Sequence, residues 1–244
     1  MPRMRILSAA DQARLEQPPI SDSAERKRHF AFPRTALETA QGMRSFTNRI
    51  GFLLAYGYFR AARRFFAPED YYPRDIAHVA RVLGAVPEDF EADGYKETTR
   101  LRHQRLVLDL QGFRPFDAEA EARLVTEVAT MARAHLKPRM IFGRCVDFLI
   151  EQRVQVPGVR RLTDLIRHQL ADRKRLLMEI VAAHLTPPVR TMLDDLFERD
   201  DGGNRYRLSL LRKLSQSKPT NQGSRDCRGF QRHCGPLRQR RPSA

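Results

Sequence analysis

Residues 45–66 read SFTNRIGFLLAYGYFRAARRFF, and the fold turns on how this stretch packs. Phe46, Ile50, Phe52, Leu53, Leu54, Tyr56, Tyr58, Phe59, Phe65 and Phe66 leave no polar stripe at a helical period. A helix that is apolar on every side belongs at the centre of a protein, enclosed by others. Its most apolar part, IGFLLAYGYF at 50–59, carries no charge but has only about half the length of a bilayer span. A buried central helix is therefore expected, not a membrane anchor.

Working outward, helix signals dominate. Ser8-Ala-Ala-Asp opens a short helix that Pro18-Pro19 stops. A second runs through AERKRHF to Pro33, and a third through TALETAQ to Gly42. Pro68 and Pro73 bracket a turn, and IAHVARVLG forms a helix closed by Gly84. Further helices are predicted over 95–110, 117–135, 138–152, 160–185 and 187–198. No run sustains period-two alternation, so the fold class is all-α. The polar, acidic PEDFEADG at 87–94 is the expected boundary between two small multi-helix domains in series, 1–93 and 94–217. Residues 218–244 follow neither helical nor strand period and are expected to be a disordered tail.

Charge narrows the class of partner. The chain has 244 residues and a formal net charge of +15. Seven of its 44 Lys and Arg and one of its 29 Asp and Glu lie in 218–244, so 1–217 keeps +9. A basic body points to a polyanion, above all nucleic acid. Three cysteines give no disulfide framework, and Cys145 falls in a helical context where a small buried hydrophobe is expected. Cys227, His233 and Cys234 match no zinc spacing. MPRMRILSAADQ lacks the apolar core of a secretory signal, and a cytoplasmic, nucleoid-associated protein without membrane partner is expected.

Three basic features are candidate DNA contacts. On the helix over 160–185, Arg160, Arg161, Arg167, His168, Lys174 and Arg175 share one face, with Asp164 as the only acid among them. The opposite face, from Leu162 and Ile166 to Val181 and His184, is expected to dock on the core. Such a stripe suits a track of phosphates, since each neutralised phosphate releases condensed counterions; a solvated surface face is the alternative. In TTRLRHQR, Arg100, Arg102, His103 and Arg105 do not share one face, so only a subset can reach DNA. Arg44, Arg49, Arg60, Arg63 and Arg64 on the central helix are the third set; its buried arginines are expected to pair with acids such as Glu69 or Asp70, and Arg63 and Arg64, near its end, are the better phosphate candidates.

No enzymatic constellation stands out. Asp194, Asp195, Glu198, Asp200 and Asp201 lack histidines and an apolar frame. No phosphate-cradling glycine loop, nucleophile elbow or HExxH is present. No catalytic residue, metal, cofactor or small-molecule substrate is expected. PRDIAHVARVLGAVPEDF looks like the first helix and turn of a helix-turn-helix, yet Glu88, Asp89, Glu91 and Asp93 would face phosphates. A helical hairpin packed on the core is expected there instead.

Three ordered blocks carry a family resemblance: RSFTNRIGFLLAYGYFRAARRFF, PRDIAHVARVLGAVPEDF and YKETTRLRHQRLVLDLQGFRPF. With RILSAADQARLEQPP before them and NRYRLSLLRKLSQS after, the chain up to Ser217 resembles the N-terminal region of a Tn-three family transposase. The resemblance implies a DNA-binding fragment that recognises the terminal inverted repeats of a class II transposon. It also implies that catalysis sits in a later acidic-triad domain, with a full-length transposase of the same family as a further partner. The likeness ends at Ser217, where the composition shifts to Arg, Gly and Pro, and a frameshift is inferred. A functional arginine-rich arm is the competing explanation of the tail. The rival to DNA binding is a helical protein-interaction or regulatory module, and a weaker one a nuclease using the acids near Asp195.

Overall fold

In the computed structural model, residues 4–198 are described. They form ten α-helices and no strand, as the periodicity predicts. An isolated parallel bridge joins Arg114 to Val154. The helices are α1 (Ala9–Glu16), α2 (Ser23–His29), α3 (Arg34–Gln41), α4 (Phe46–Ala62), α5 (Pro73–Val82), α6 (Glu97–Gln111), α7 (Ala118–Arg133), α8 (Pro138–Glu151), α9 (Val159–His184) and α10 (Pro187–Leu196). One compact unit ends at Val181, and the chain from Ala182 belongs to a second. The tail over 218–244, with Cys227, His233 and Cys234, lies outside the described residues, as do NRYRLSLLRKLSQS, Asp200 and Asp201.

The central helix is where the sequence puts it. Ser45 caps α4 by accepting from the Asn48 N–H, and every residue from Ile50 to Phe59 is buried. Around it pack α2, α3, α5 and α6. Phe30, Tyr58, Phe66, Tyr71, Val79, Val107 and Phe113 join it in one hydrophobic cluster. The packing depends on two glycines inside α4. A Cβ on Gly57 would lie 2.2 Å from the Phe30 ring, and one on Gly51 would lie 2.8 Å from that of Tyr95. Two aromatic rings thus lie directly against the helix backbone.

Asp75 fastens this cluster from one side. It is buried, accepts from Arg26 Nε at 2.5 Å and from the Tyr58 hydroxyl at 2.8 Å, and so ties α2, α4 and α5 together. The Tyr58 oxygen in turn accepts from the Tyr72 N–H. A buried carboxylate is tolerable here because it is both ion-paired and hydrogen-bonded.

A second cluster contains Ile6 and Leu7 with α7, α8 and the first half of α9, centred on Leu124, Ile141, Leu149, Leu162 and Ile166. Cys145 is in its interior, and burial pushes the thiol up to about 12. The acidic 87–94 stretch lies beside the first cluster, where Phe90 packs, and α6 beyond it contributes Val107 and Leu108 to the same core. The expected hairpin after α5 contains no second α-helix: Pro87–Asp89 is a single 3₁₀ turn.

Candidate nucleic-acid interface

The structure breaks up the α9 stripe. Arg161 donates to Glu121 at 2.6 Å and lies over the Phe116 ring. Arg167 pairs with Asp164 and also donates to the Met4 carbonyl. Arg175 pairs with Asp172, and His168 Nε2 lies 3.6 Å from the same carboxylate. Asp172, which the sequence pattern left off this face, therefore serves two of its cations. Arg160 and Lys174 are exposed and have no ion pair among the described residues. The apolar face also departs from expectation. It is buried through Ile166, but Leu176 and Val181 are 48% and 52% exposed. Amphipathic periodicity reports a face, not where its partner ends.

On α6 the four candidates separate, as the helical wheel requires. His103 is 1% exposed and belongs to the core. Its Nδ1 lies 2.9 Å from the Tyr95 hydroxyl, and its ring is perpendicular to Phe52. Desolvation, helped by the Arg102 charge, holds its pKa down to about 4. Arg100 is half-buried, 3.9 Å from Glu97. Arg102 and Arg105 remain exposed. His103 is thus corrected from candidate contact to core residue, because α6 lies with that edge against α4.

At the end of α4 the outcome is split. Arg64 is 9% exposed, over the Phe66 ring at 4.6 Å, and burial lowers its pKa to about 10. Its guanidinium is taken up by the protein interior. Arg63 caps the helix in the left-handed region, with φ 56, and lies over Phe113. Neither pairs with Glu69 or Asp70; aromatic faces take that place.

The most coherent basic surface was not singled out from the sequence. Lys27 and Arg28 end α2, where cations suit the helix dipole. Arg74, His78 and Arg81 are spaced i, i+4, i+7 on α5 and so share one face. With Arg26 they line a concavity of about 400 Å³ between the two helices. Arg26 is paired with Asp75, but Lys27, Arg28, Arg74 and Arg81 form no ion pair among the described residues. The local field is positive: partial burial lowers the pKa of His78, and Arg81, Arg26 and Lys27 lower it further against the opposing pull of Asp75. The i, i+4, i+7 spacing was visible in PRDIAHVARV; its meeting with the basic end of α2 was not.

A family model described as "Domain of unknown function (DUF4158)" matches residues 6–169. The chain belongs to that family. The matched span starts at Ile6 and ends just past Ile166, the last fully buried residue of α9, so it contains both hydrophobic clusters. Two curated relatives from Escherichia coli, "Transposase for transposon Tn3926" and "Transposase for transposon Tn21", are each 28% identical over 222 residues. The alignment takes in 91% of this chain but 22% of each relative, so the chain spans about a fifth of their length. The likeness to the N-terminal region of a Tn-three family transposase is thereby borne out, and the chain is transposase-related. No helix among the described residues is long and apolar enough to cross a membrane.

Proposed function

We propose that this chain is a DNA-binding portion of a Tn-three family transposase that grips the terminal inverted repeats of the element and leaves strand chemistry to another domain. The observation that carries this is the α2–α5 concavity, where Lys27, Arg74 and Arg81 meet with no acid paired to them among the described residues. Cations left without counterions on a folded surface are what a phosphate backbone neutralises. The relatives' printed names supply the context of transposition. Arg102, Arg105, Arg160 and Lys174, exposed elsewhere on the first unit, extend the same positive field. The protein acts in this reading at the nucleoid, in the cytoplasm.

The test is binding to a labelled inverted-repeat duplex and to a random duplex of equal length, across a range of salt. Replacing Lys27, Arg74 and Arg81 together with Gln should flatten the plot of log K against log salt by roughly 0.9 for each phosphate no longer neutralised. Preference for the repeat should persist where these groups touch only phosphates. A folded triple variant with unchanged affinity and slope would refute the assignment of the interface. The exposed apolar residues Leu176, Met178 and Val181 favour a protein-interaction role for the end of α9. Loss of self-association or transposase binding on changing them to Glu, with DNA binding intact, would separate the two roles.

A further inference from the structure

Arg60, Arg63 and Arg153 converge on one small pocket that has no carboxylate among the described residues lining it. Its volume is about 440 Å³, and Tyr56, Gln111 and the chain at 31–33 complete the wall. Arg63 and Arg153 lie over the same ring, that of Phe113, at 5.0 and 5.4 Å. Each is held in place through its backbone. The Val156 N–H donates to the Arg63 carbonyl at 2.8 Å, and the Arg114 N–H to the Arg153 carbonyl at 2.8 Å. Both carbonyls are thus tied to the segments that make the Arg114–Val154 bridge. On the side-chain level, Arg60 Nη1 donates to the Ala31 carbonyl at 2.6 Å and Arg63 Nη1 to Gln111 Oε1 at 3.2 Å. Gln111 is itself fixed by donating to the Tyr56 carbonyl.

Arg60 and Arg153 are exposed and Arg63 is half-buried, but two features distinguish the cluster from an ordinary basic surface. First, Arg63 and Arg153 have φ of 56 and 54, a left-handed conformation that normally falls to glycine or asparagine at a helix end. Both positions thus hold a large cationic side chain on a left-handed backbone. Second, none of the three forms an ion pair among the described residues. Burial lowers the Arg63 pKa, and Arg153 and Arg60 lower it further by repulsion. Like charges held together with fixed donors suit an oxyanion, and guanidinium forks match phosphate oxygens two at a time.

We infer that the Arg60–Arg63–Arg153 pocket seats a single phosphate group. Resting on the proposed function, that group is one phosphate of the DNA backbone, reached at a point separate from the α2–α5 concavity. Free phosphate is an independent probe of the pocket itself.

The experiment has two arms, both on the full chain. In the first, inorganic phosphate is titrated at constant ionic strength while the arginine Nε–Hε resonances are followed. Saturable shifts confined to Arg60, Arg63 and Arg153, abolished in Arg153→Gln, are expected. In the second, the salt slope of duplex binding is compared for Arg153→Gln and for Arg60→Gln combined with Arg153→Gln. Each should lower the slope by about 0.9, the same amount, because both residues hold one phosphate. A double variant that lowers it about twice as far would place the arginines on separate phosphates and overturn the inference. Unchanged slopes with no phosphate-induced shifts would overturn it as well. Phosphate-induced shifts in a chain that binds no duplex would leave the pocket standing, with free phosphate as its source, while the proposed function fails. Arg153→Gly guards against misfolding: glycine suits φ 54, so it removes the charge without backbone cost.

Discussion

His103 should make the fold sensitive to acid in a way that can be isolated. It is 1% exposed, its Nδ1 faces the Tyr95 hydroxyl at 2.9 Å, and its Nε2 has no hydrogen-bond partner among the described residues. Burial raises the Tyr95 pKa, so its hydroxyl keeps its proton beside a neutral imidazole. A second ring proton would put a charge inside an aromatic cage, and desolvation, then Arg102, hold the His103 pKa down to about 4. In the unfolded chain a histidine titrates near 6.5. The folded state therefore binds fewer protons between these values, and its stability is full above about pH 6.5. Below that it declines at about 1.4 kcal/mol per pH unit, to a total of about 3 kcal/mol near pH 4. Urea unfolding of the wild type and of His103→Gln at steps from about pH 7.5 to 4.5 measures this directly. The variant should be less stable at neutral pH, yet the gap should close as pH falls, since Gln has nothing to protonate. His29 and His78 also titrate low through burial, but they are common to both proteins and cancel in the difference. Parallel pH profiles would refute the reasoning, showing that His103 titrates alike in both states.

Two further outcomes follow from packing. Gly57→Ala places a Cβ 2.2 Å from the Phe30 ring and should cost about 1–3 kcal/mol by overpacking, despite the better helix propensity of Ala; a higher melting temperature would show that Phe30 is free to move. Asp75→Ala leaves Arg26 and the Tyr58 hydroxyl without their shared acceptor and should cost about 3–5 kcal/mol in denaturant unfolding, as for other broken buried pairs. A destabilisation under about 1 kcal/mol would show that water replaces the carboxylate.

How much the sequence revealed follows from the range of each interaction. Residues 45–66 were legible because an all-round apolar helix has only one place to go. The α9 stripe was half legible. Its faces follow from the 3.6-residue period, but Asp172 reaches back to His168 and on to Arg175 through side-chain length, which a wheel does not show. His103 looked like one more basic group in TTRLRHQR, and only the approach of α6 to α4, set by residues far apart in the chain, puts it in the core. The α2–α5 concavity was illegible for the same reason. Arg26 and Asp75 meet across 49 residues, and nothing local to either segment announces the meeting.

That meeting also decides where the positive charge is available. A net excess of cations does not by itself make a binding surface, because each cation can be neutralised by the nearest acid. On α9 this happens: Asp164, Asp172 and Glu121 take up Arg167, Arg175 and Arg161. On α2 and α5 the acids are held elsewhere. Glu25 accepts from the Asp22 N–H and Asp22 from the Glu25 N–H, a capping box at the start of α2, away from its basic last turn. Asp75, the sole acid of α5, turns inward to Arg26 and Tyr58. The carboxylate that fastens α5 to α2 and α4 is thus the one that would otherwise neutralise the rim. Among the described residues, Lys27, Arg28, Arg74 and Arg81 stay without an acid partner while Asp75 is part of the core. Stability and charge in this region have a common origin, and the Asp75→Ala variant should disturb both the fold and the field at once.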